Sequence, residues 1–208
     1  MRRPHFIARQ ARCPTGVFGE LLARVMARET ATENAKGLEL LNLKPTDYVL
    51  EIGFGHGRTI SNAARAACKG FVAGVDISDR MVRMAKRHNR ASLAARRLEL
   101  TCSDGGAIPY ADCHFDKAYS IHTVYFWPRP QIVLKEIHRV LKKDGTLLLG
   151  YKSDLEKNRV ELPADIYKFY SLHEMRYMLE GAGFGEVHPV DHDFSGRRIL
   201  FLIARRSV

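Results

Sequence analysis

The stretch Tyr48-Val49-Leu50-Glu51-Ile52-Gly53-Phe54-Gly55-His56-Gly57 decides how this chain is read. A short apolar run meets an acid, then glycines at alternating positions, and a helical pattern begins near Thr59. Val49, Leu50 and Ile52 suit a strand buried on both faces of a parallel sheet. Glycines at 53, 55 and 57 let the backbone turn sharply and approach a ligand with no Cβ in the way. The helix after such a turn aims its free N–H groups at whatever sits there. A strand-to-helix turn with no ligand is the simpler alternative, and three alternating glycines after an acid speak against it.

The spacing narrows the ligand. A dinucleotide fingerprint, G-x-G-x-x-G, places its last glycine three residues beyond the second. That position here is Arg58, a bulky cation that would spoil close helix–strand packing. Glu51, two residues ahead of the first glycine, would repel a pyrophosphate and attract an ammonium group. The pattern E-x-G-x-G-x-G resembles motif I of the class I S-adenosylmethionine-dependent methyltransferases. That cofactor carries an ammonium and a sulfonium but no phosphate, and its demethylated product is S-adenosylhomocysteine. A nicotinamide dehydrogenase is correspondingly disfavoured.

Outside this loop the chain alternates strand and helix signals. Strands are expected at Tyr48–Ile52, Phe71–Asp76, Leu98–Cys102, Asp116–Ile121 and Thr146–Gly150. Helices are expected at Thr59–Cys68, Asp79–Ala95 and Gln131–Lys142, with Asp144-Gly145 turning the chain into the fifth strand. Ser171-Leu172-His173-Glu174 reads as a capping box, and Gly181 and Gly183 stop the helix that it opens. Two further strand-like runs, Glu186–Val190 and Ile199–Ile203, lie close enough in sequence to pair as a hairpin. Between them, Asp191-His192-Asp193 reads as a polar turn in preference to a metal site. The expected architecture is a Rossmann-like, doubly wound α/β fold, with a mostly parallel seven-stranded sheet ending in an antiparallel hairpin. This too resembles the class I methyltransferases, over about residues 40 to 208. Residues 1–44, with helical patterns near Val17–Arg28 and Thr32–Leu41, would form the family's variable N-terminal cap. The whole reads as one domain: cap, cofactor-binding core (45–150), a covering segment (151–170), then a terminal helix and hairpin (171–208).

If the first strand ends in the glycine loop, the second should end in an acid for ribose hydroxyls. Asp76 lies 19 residues after Gly57, at the end of Phe71-Val72-Ala73-Gly74-Val75. A carboxylate accepts from two adjacent hydroxyls. The alternative is that Asp76 caps the next helix, a task Ser78 or Asp79 can perform. Ile77 would pack on the adenine face. Cys102-Ser103-Asp104-Gly105 resembles the family's adenine-contact motif, which implies an amino-group acceptor at Asp104 and backbone donors at Ser103 or Gly105. A plain Asp-Gly-Gly turn is the alternative. Together with Glu51, Gly53, Phe54, Gly55, Gly57 and Met81, these residues make up the expected cofactor site.

The acceptor side is expected in Ser120-Ile121-His122-Thr123-Val124-Tyr125-Phe126-Trp127-Pro128. The resemblance puts Ile121 and His122 beside the cofactor's methionyl part and Tyr125, Phe126 and Trp127 at the acceptor pocket. His122 and Tyr125 are the candidate catalytic residues, although a histidine at a strand end is more often structural and the aromatic run equally suits core packing. The Asn-Pro-Pro-Tyr type of motif, which serves amino groups of nucleic acids and protein amides, is absent. A small organic acceptor is therefore expected, attacked at O, N or C, and DNA is not. The resemblance is to the ubiquinone- and menaquinone-biosynthesis type. The segment Tyr151–Tyr170 is long and aromatic enough to cover a substrate.

Composition sets outer bounds. The 208 residues are 46% hydrophobic and 27% charged, an ordinary globular balance. No apolar run reaches the roughly 18 residues of a membrane span, and Met1–Pro14 lacks the apolar core of a secretory signal. Cys13, Cys68, Cys102 and Cys113 form no metal spacing. Cys68 and Cys102 sit in apolar contexts that suggest buried thiols, and a reducing cytoplasm is the expected compartment. Arsenite methyltransferases use several cysteines for their substrate, but these four do not converge. A net charge of +10 points weakly to an anionic partner, RNA or a membrane surface. Seven Lys or Arg residues between Arg80 and Arg97 concentrate that charge, although most such runs are solvated helix faces. A module that binds S-adenosylmethionine without catalysis is the reading from a different class.

Overall fold

The computed structural model describes residues 4–153 and 162–207. Seven strands form one sheet: β1 (Tyr48–Ile52), β2 (Phe71–Asp76), β3 (Leu98–Cys102), β4 (Phe115–Ile121), β5 (Leu141–Tyr151), β6 (Phe184–Asp193) and β7 (Arg198–Arg206), in spatial order β3-β2-β1-β4-β5-β7-β6. The first five run parallel; β7 pairs antiparallel with β5 and with β6, its hairpin partner. The helices are α1 (His5–Arg12), α2 (Gly16–Glu29), α3 (Ala31–Leu41), α4 (Arg58–Ala66), α5 (Asp79–His88), α6 (Arg90–Ala94), α7 (Pro130–Val140) and α8 (Leu172–Gly181).

The two-residue period of the strands sorts their side chains into two cores. Val49, Val72, Tyr119, Leu148 and Phe201 pack with α4 and α5 through Ile60, Ala63, Val82 and Ala85. Their neighbours Leu50, Ala73, Ala118, Leu147 and Leu202 pack on the other face with α7 and α8 through Leu134, Ile137, Met175 and Leu179. With both faces covered, a parallel strand has no polar side, which is why β1 and β2 read as continuous apolar runs. β1 lies between β2 and β4, where the winding direction reverses, and ligands in such sheets sit in the crevice outside the strand ends there.

Several boundaries differ from the sequence expectation. The helix expected over Asp79–Ala95 breaks at Asn89, whose buried side-chain amide donates to Gly57 O (3.0 Å) and Ala85 O (2.9 Å). Helix α7 stops at Val140 instead of Lys142, because Leu141 already pairs with Phe115. Asp144-Gly145 therefore lies within β5, at an irregularity in its pairing with β4, and does not precede the strand. The hairpin strands run longer than expected, so Asp191-His192-Asp193 ends β6, with Asp191 ion-paired to Arg198. Cys68 and Cys102 are exposed, not buried. Cys68 follows the end of α4, and Cys102 is the last residue of an edge strand, so neither is enclosed by a neighbour. The first helix, α1, has no counterpart in the sequence expectation. The Ser171–Glu174 capping box forms in full. Of the expected covering segment, 154–161 lies outside the described residues. Tyr151 belongs to β5, and Tyr167 is buried against the core below α7 and α8. No helix among the described residues is long and apolar enough to cross a membrane.

Candidate functional site

The glycine loop sits at the carboxyl end of β1, held there by main-chain bonds across the sheet. Gly53 N donates to Val75 O (2.7 Å), and Ser103 N donates to Asp76 O (3.0 Å), so the ends of β1, β2 and β3 form one ledge. Gly57 caps α4 with φ +89°, and a Cβ there would stand 2.5 Å from the Ala85 methyl. The third glycine thus serves packing between α4 and α5, and it does not face the cavity. Gly55 is different: its φ is +54°, and a Cβ would meet nothing within 4 Å. The crest of the loop is open space, kept free for something that approaches the backbone.

Three acids converge on this ledge. Asp76 is buried; its carboxylate accepts from Gly55 N (2.7 Å) and Ser78 N (2.9 Å). Burial raises its pKa, against the lowering effect of those two N–H groups. Ser78 caps α5 through its hydroxyl, which accepts from Met81 N, so Asp76 is free of that duty. Glu51 is buried and accepts from the Tyr119 hydroxyl at 2.7 Å. Burial pushes its carboxyl up to about 8; the Tyr119 bond opposes this, and the charge of Asp76 adds to it. Asp104 is exposed and accepts from Gly106 N (2.9 Å), an Asx-type turn that leaves its other oxygen uncommitted to that bond. Next to them, burial, with His88 and the guanidinium groups of Arg58 and Arg24 nearby, holds the His56 imidazole down at about 4, neutral at physiological pH.

A cavity of about 400 Å³ opens above the ledge, within the usual size of a small-molecule site. Glu51, Gly53, Phe54, Gly55, Asp76, Ile77, Met81, Ser103, Asp104, Ile121 and His122 all line it. Of the expected cofactor residues, Gly57 and Gly105 do not, and neither does the candidate catalytic Tyr125. Gly105 is buried beneath Ile52 and Val133. The rest of the lining comes from Phe126 and Trp127, which the sequence placed at the acceptor pocket, and from α1–α3, which it singled out for no site: Ala11, Ala23, Met26, Ala27 and Ala31, with Arg12, Thr30 and Asn34 among them. The strand-end wall carries the three acids, with Arg58 beside them; the helical wall is mainly small and apolar, with Arg12, Thr30 and Asn34 set into it.

His122 joins the two walls. Its φ is +62°, a left-handed conformation held by a 2.7 Å bond from its N–H to Gly150 O. Its Nε2 meets Glu33 Oε2 of α3 at 2.5 Å, and its Nδ1 meets the Tyr125 hydroxyl at 2.9 Å. Tyr125 Oη in turn accepts from Lys152 N (2.9 Å) and must direct its own proton elsewhere, which assigns Nδ1 as acceptor and Nε2–H as donor. Burial alone would raise the Glu33 carboxyl. The hydrogen bond from His122, with the charges of Arg197 and Lys152, outweighs it, and the net shift is downward. Burial drives the Tyr125 hydroxyl far above its usual range. Glu33 is the residue that the sequence could not offer, since it lies 89 positions from its partner on a helix with no motif.

The residues present suit a ligand with hydroxyls and a cation. A buried, proton-retaining Glu51 with no basic partner among the described residues is a place where an ammonium group would be welcome, and the space over Gly55 admits a ligand against the backbone. Residues 50–149 match the family model described as "Methyltransferase domain". The chain is 34% identical over 59% of its length to 24-methylenesterol C-methyltransferase 2 of Oryza sativa subsp. japonica, of which the match spans only 33%. It is 30% identical to YrhH of Bacillus subtilis (strain 168), classed as a methyltransferase, over 62% of this chain and 72% of that one. The fold superposes on a SAM-dependent methyltransferase from Aquifex aeolicus with a TM-score of 0.68 and 26% identity, covering 83% of this chain and 89% of that one. The sheet order, the acidic ledge and these likenesses agree, and the chain belongs to the class I S-adenosylmethionine-dependent methyltransferases.

Proposed function

We propose that this chain transfers the methyl group of S-adenosylmethionine to a small, predominantly apolar organic acceptor held in the same cavity. The observation that carries the proposal is the arrangement of that cavity, with three acids at the strand ends and a mainly apolar wall under α1–α3. When bound, the cofactor supplies a methyl group activated on a sulfonium sulfur; what remains for the protein is alignment and exclusion of water.

The acidic wall supplies binding. Asp76 accepts from the ribose hydroxyls, Asp104 from the adenine amino group, and Ile77 packs on the adenine face, with Ser103 beside it. Glu51 and the Gly53–Gly55 backbone receive the amino-acid end, near Phe54, Met81 and Ile121. An ammonium group beside Glu51 favours its ionised form and draws its pKa down. The apolar wall excludes water and takes the acceptor; a protein relative named for a sterol substrate fits an apolar acceptor class. In this scheme residues 1–44 act as the cap over the core of residues 45–150.

His122 and Tyr125 act as a positioning pair. Both imidazole nitrogens are engaged, so in this arrangement neither takes a proton from an acceptor. Their effect is to hold α3, and with it the apolar wall, over the methyl-transfer position. The test is a panel of phenols, quinone precursors, sterols, fatty acids and polar amines, read by release of S-adenosylhomocysteine. Release is expected with apolar members and not with polar amines. Cofactor binding without release from any member would make the chain a binding module.

A further inference from the structure

Helix α2 has two apolar faces, and only one of them is used. The inner face, with Ala23, Met26 and Ala27, lines the cavity. On the outer face Val17 is 79% exposed, Leu21 58%, Phe18 46% and Val25 42%, and Phe6 of α1, 56% exposed, rests its ring against Phe18 at 4.9 Å. At 3.6 residues per turn, positions 17, 18, 21, 24, 25 and 28 fall within an arc of about 120°. The apolar stripe is therefore interleaved with Arg24 and Arg28, both exposed. Five large apolar side chains gathered on one surface are more than the scattered exposure normal for a monomer.

The charge around this stripe is mainly positive, with Glu29 at the end of α2 the exposed acid beside it. The acid on α2 that faces inward, Glu20, is taken up by Arg24 (2.8 Å) and by Arg80 at the start of α5 (2.7 Å). That contact sets α2 beside α5, whose exposed Arg83, Lys86 and Arg87 continue the positive surface, with Asp79 paired to Arg83. An apolar stripe flanked by Lys and Arg is the pattern of a helix that lies in the plane of a lipid interface, and anionic headgroups attract such a surface.

We propose that the outer face of α2, with Phe6, docks this protein on an anionic lipid surface, bringing the cavity on the opposite side of the same helix to the membrane. The basic run of α5 supplies the electrostatic part of that contact. RNA would use the charge and stack on Phe6 or Phe18, but it gains nothing from Val17, Leu21 and Val25, and a second copy would bring the same positive charge against itself. The inference does not depend on which acceptor the cavity takes.

The test is co-sedimentation of the full-length protein with phosphatidylcholine vesicles, with and without phosphatidylglycerol. Binding is expected with the anionic vesicles, at least tenfold weaker with the neutral ones, and weakened by salt as charges are screened. The double variant Phe18→Asp/Leu21→Asp should lose at least tenfold in vesicle affinity while binding S-adenosylhomocysteine as the parent does. Should that variant not fold, Val17→Trp replaces an already exposed side chain. The fluorescence it adds to that of the native Trp127 should be quenched by bromine-labelled lipid in anionic vesicles. Three results overturn the proposal: no partition onto anionic vesicles, no quenching of the tryptophan added in Val17→Trp, or a dimer in light scattering that the double variant dissociates. Displacement from vesicles by RNA at equal charge concentration would likewise assign the surface to nucleic acid.

Discussion

Among single residues, Glu51 is the most exposed to test, because its burial makes a pH signature. Its pKa stands at about 8 in the folded chain against an ordinary value of 4.5, so the folded state holds a proton that the unfolded chain has lost. Folding stability must then fall as pH rises from about 4.5 through about 8, by roughly 1.4 kcal/mol per pH unit inside that window. Asp76, raised in the same direction by burial, adds to that slope. In Glu51→Gln the fall in melting temperature over this range should be shallower, and S-adenosylhomocysteine affinity should drop at least tenfold. Equal slopes in parent and variant would contradict the account of Glu51. The glycines separate just as cleanly. Gly55→Val projects into open space at positive φ, which costs about 1–2 kcal/mol of stability, yet it should abolish cofactor binding in calorimetry. Gly57→Ala meets Ala85 and should lose about 2–3 kcal/mol in denaturant unfolding, with weaker binding only as a consequence. Glu51, Asp76 and Gly55 were legible in the sequence, because each sits at a fixed place relative to a strand end. Gly57 was legible as a glycine but not as a packing residue, since Ala85 reaches it from another helix.

For the elements, the contact that matters most is between α3 and the end of β4. Glu33 is 1% exposed and its partner His122 spans to Tyr125, so one buried hydrogen-bonded pair fixes the helix over the cavity. Removing one member of such a pair leaves the other without its partner. Glu33→Ala should destabilise the protein by about 1–3 kcal/mol, and hydrogen exchange in α3 should quicken more than in α7. The net downward shift at Glu33 makes its contribution present above about pH 4.5 and lost as pH falls through its lower folded value. Uniform exchange across α3 and α7 would show that the pair does not hold the helix. The sequence pattern placed α2 and α3 within a residue or two, because helical period is local. The pairing of Glu33 with His122 crosses the whole first half of the chain, and nothing local encodes it. The same reasoning explains Asn89: helix periodicity ran through it, and only the carbonyl of Gly57, 32 positions away, shows why the helix breaks there.

At the scale of the whole molecule, the two-sided sheet decides where chemistry is possible. Strands covered on both faces leave only their ends for ligands, and the acids of β1, β2 and the loop after β3 all lie at the same end. That end was predictable from the order of strand, glycine loop and acid. The apolar wall was not, because α1–α3 carry no motif, and their small residues acquire meaning only where they face the ledge. The account as a whole rests on that ledge binding one cofactor. The most direct measurement is calorimetric titration of the protein and of its Asp76→Ala variant with S-adenosylhomocysteine and, separately, NADH. The account predicts one S-adenosylhomocysteine site per chain in the parent, at least tenfold weaker in Asp76→Ala, and no tight NADH binding. Tight NADH binding without S-adenosylhomocysteine binding, or undiminished S-adenosylhomocysteine affinity in Asp76→Ala, would contradict it.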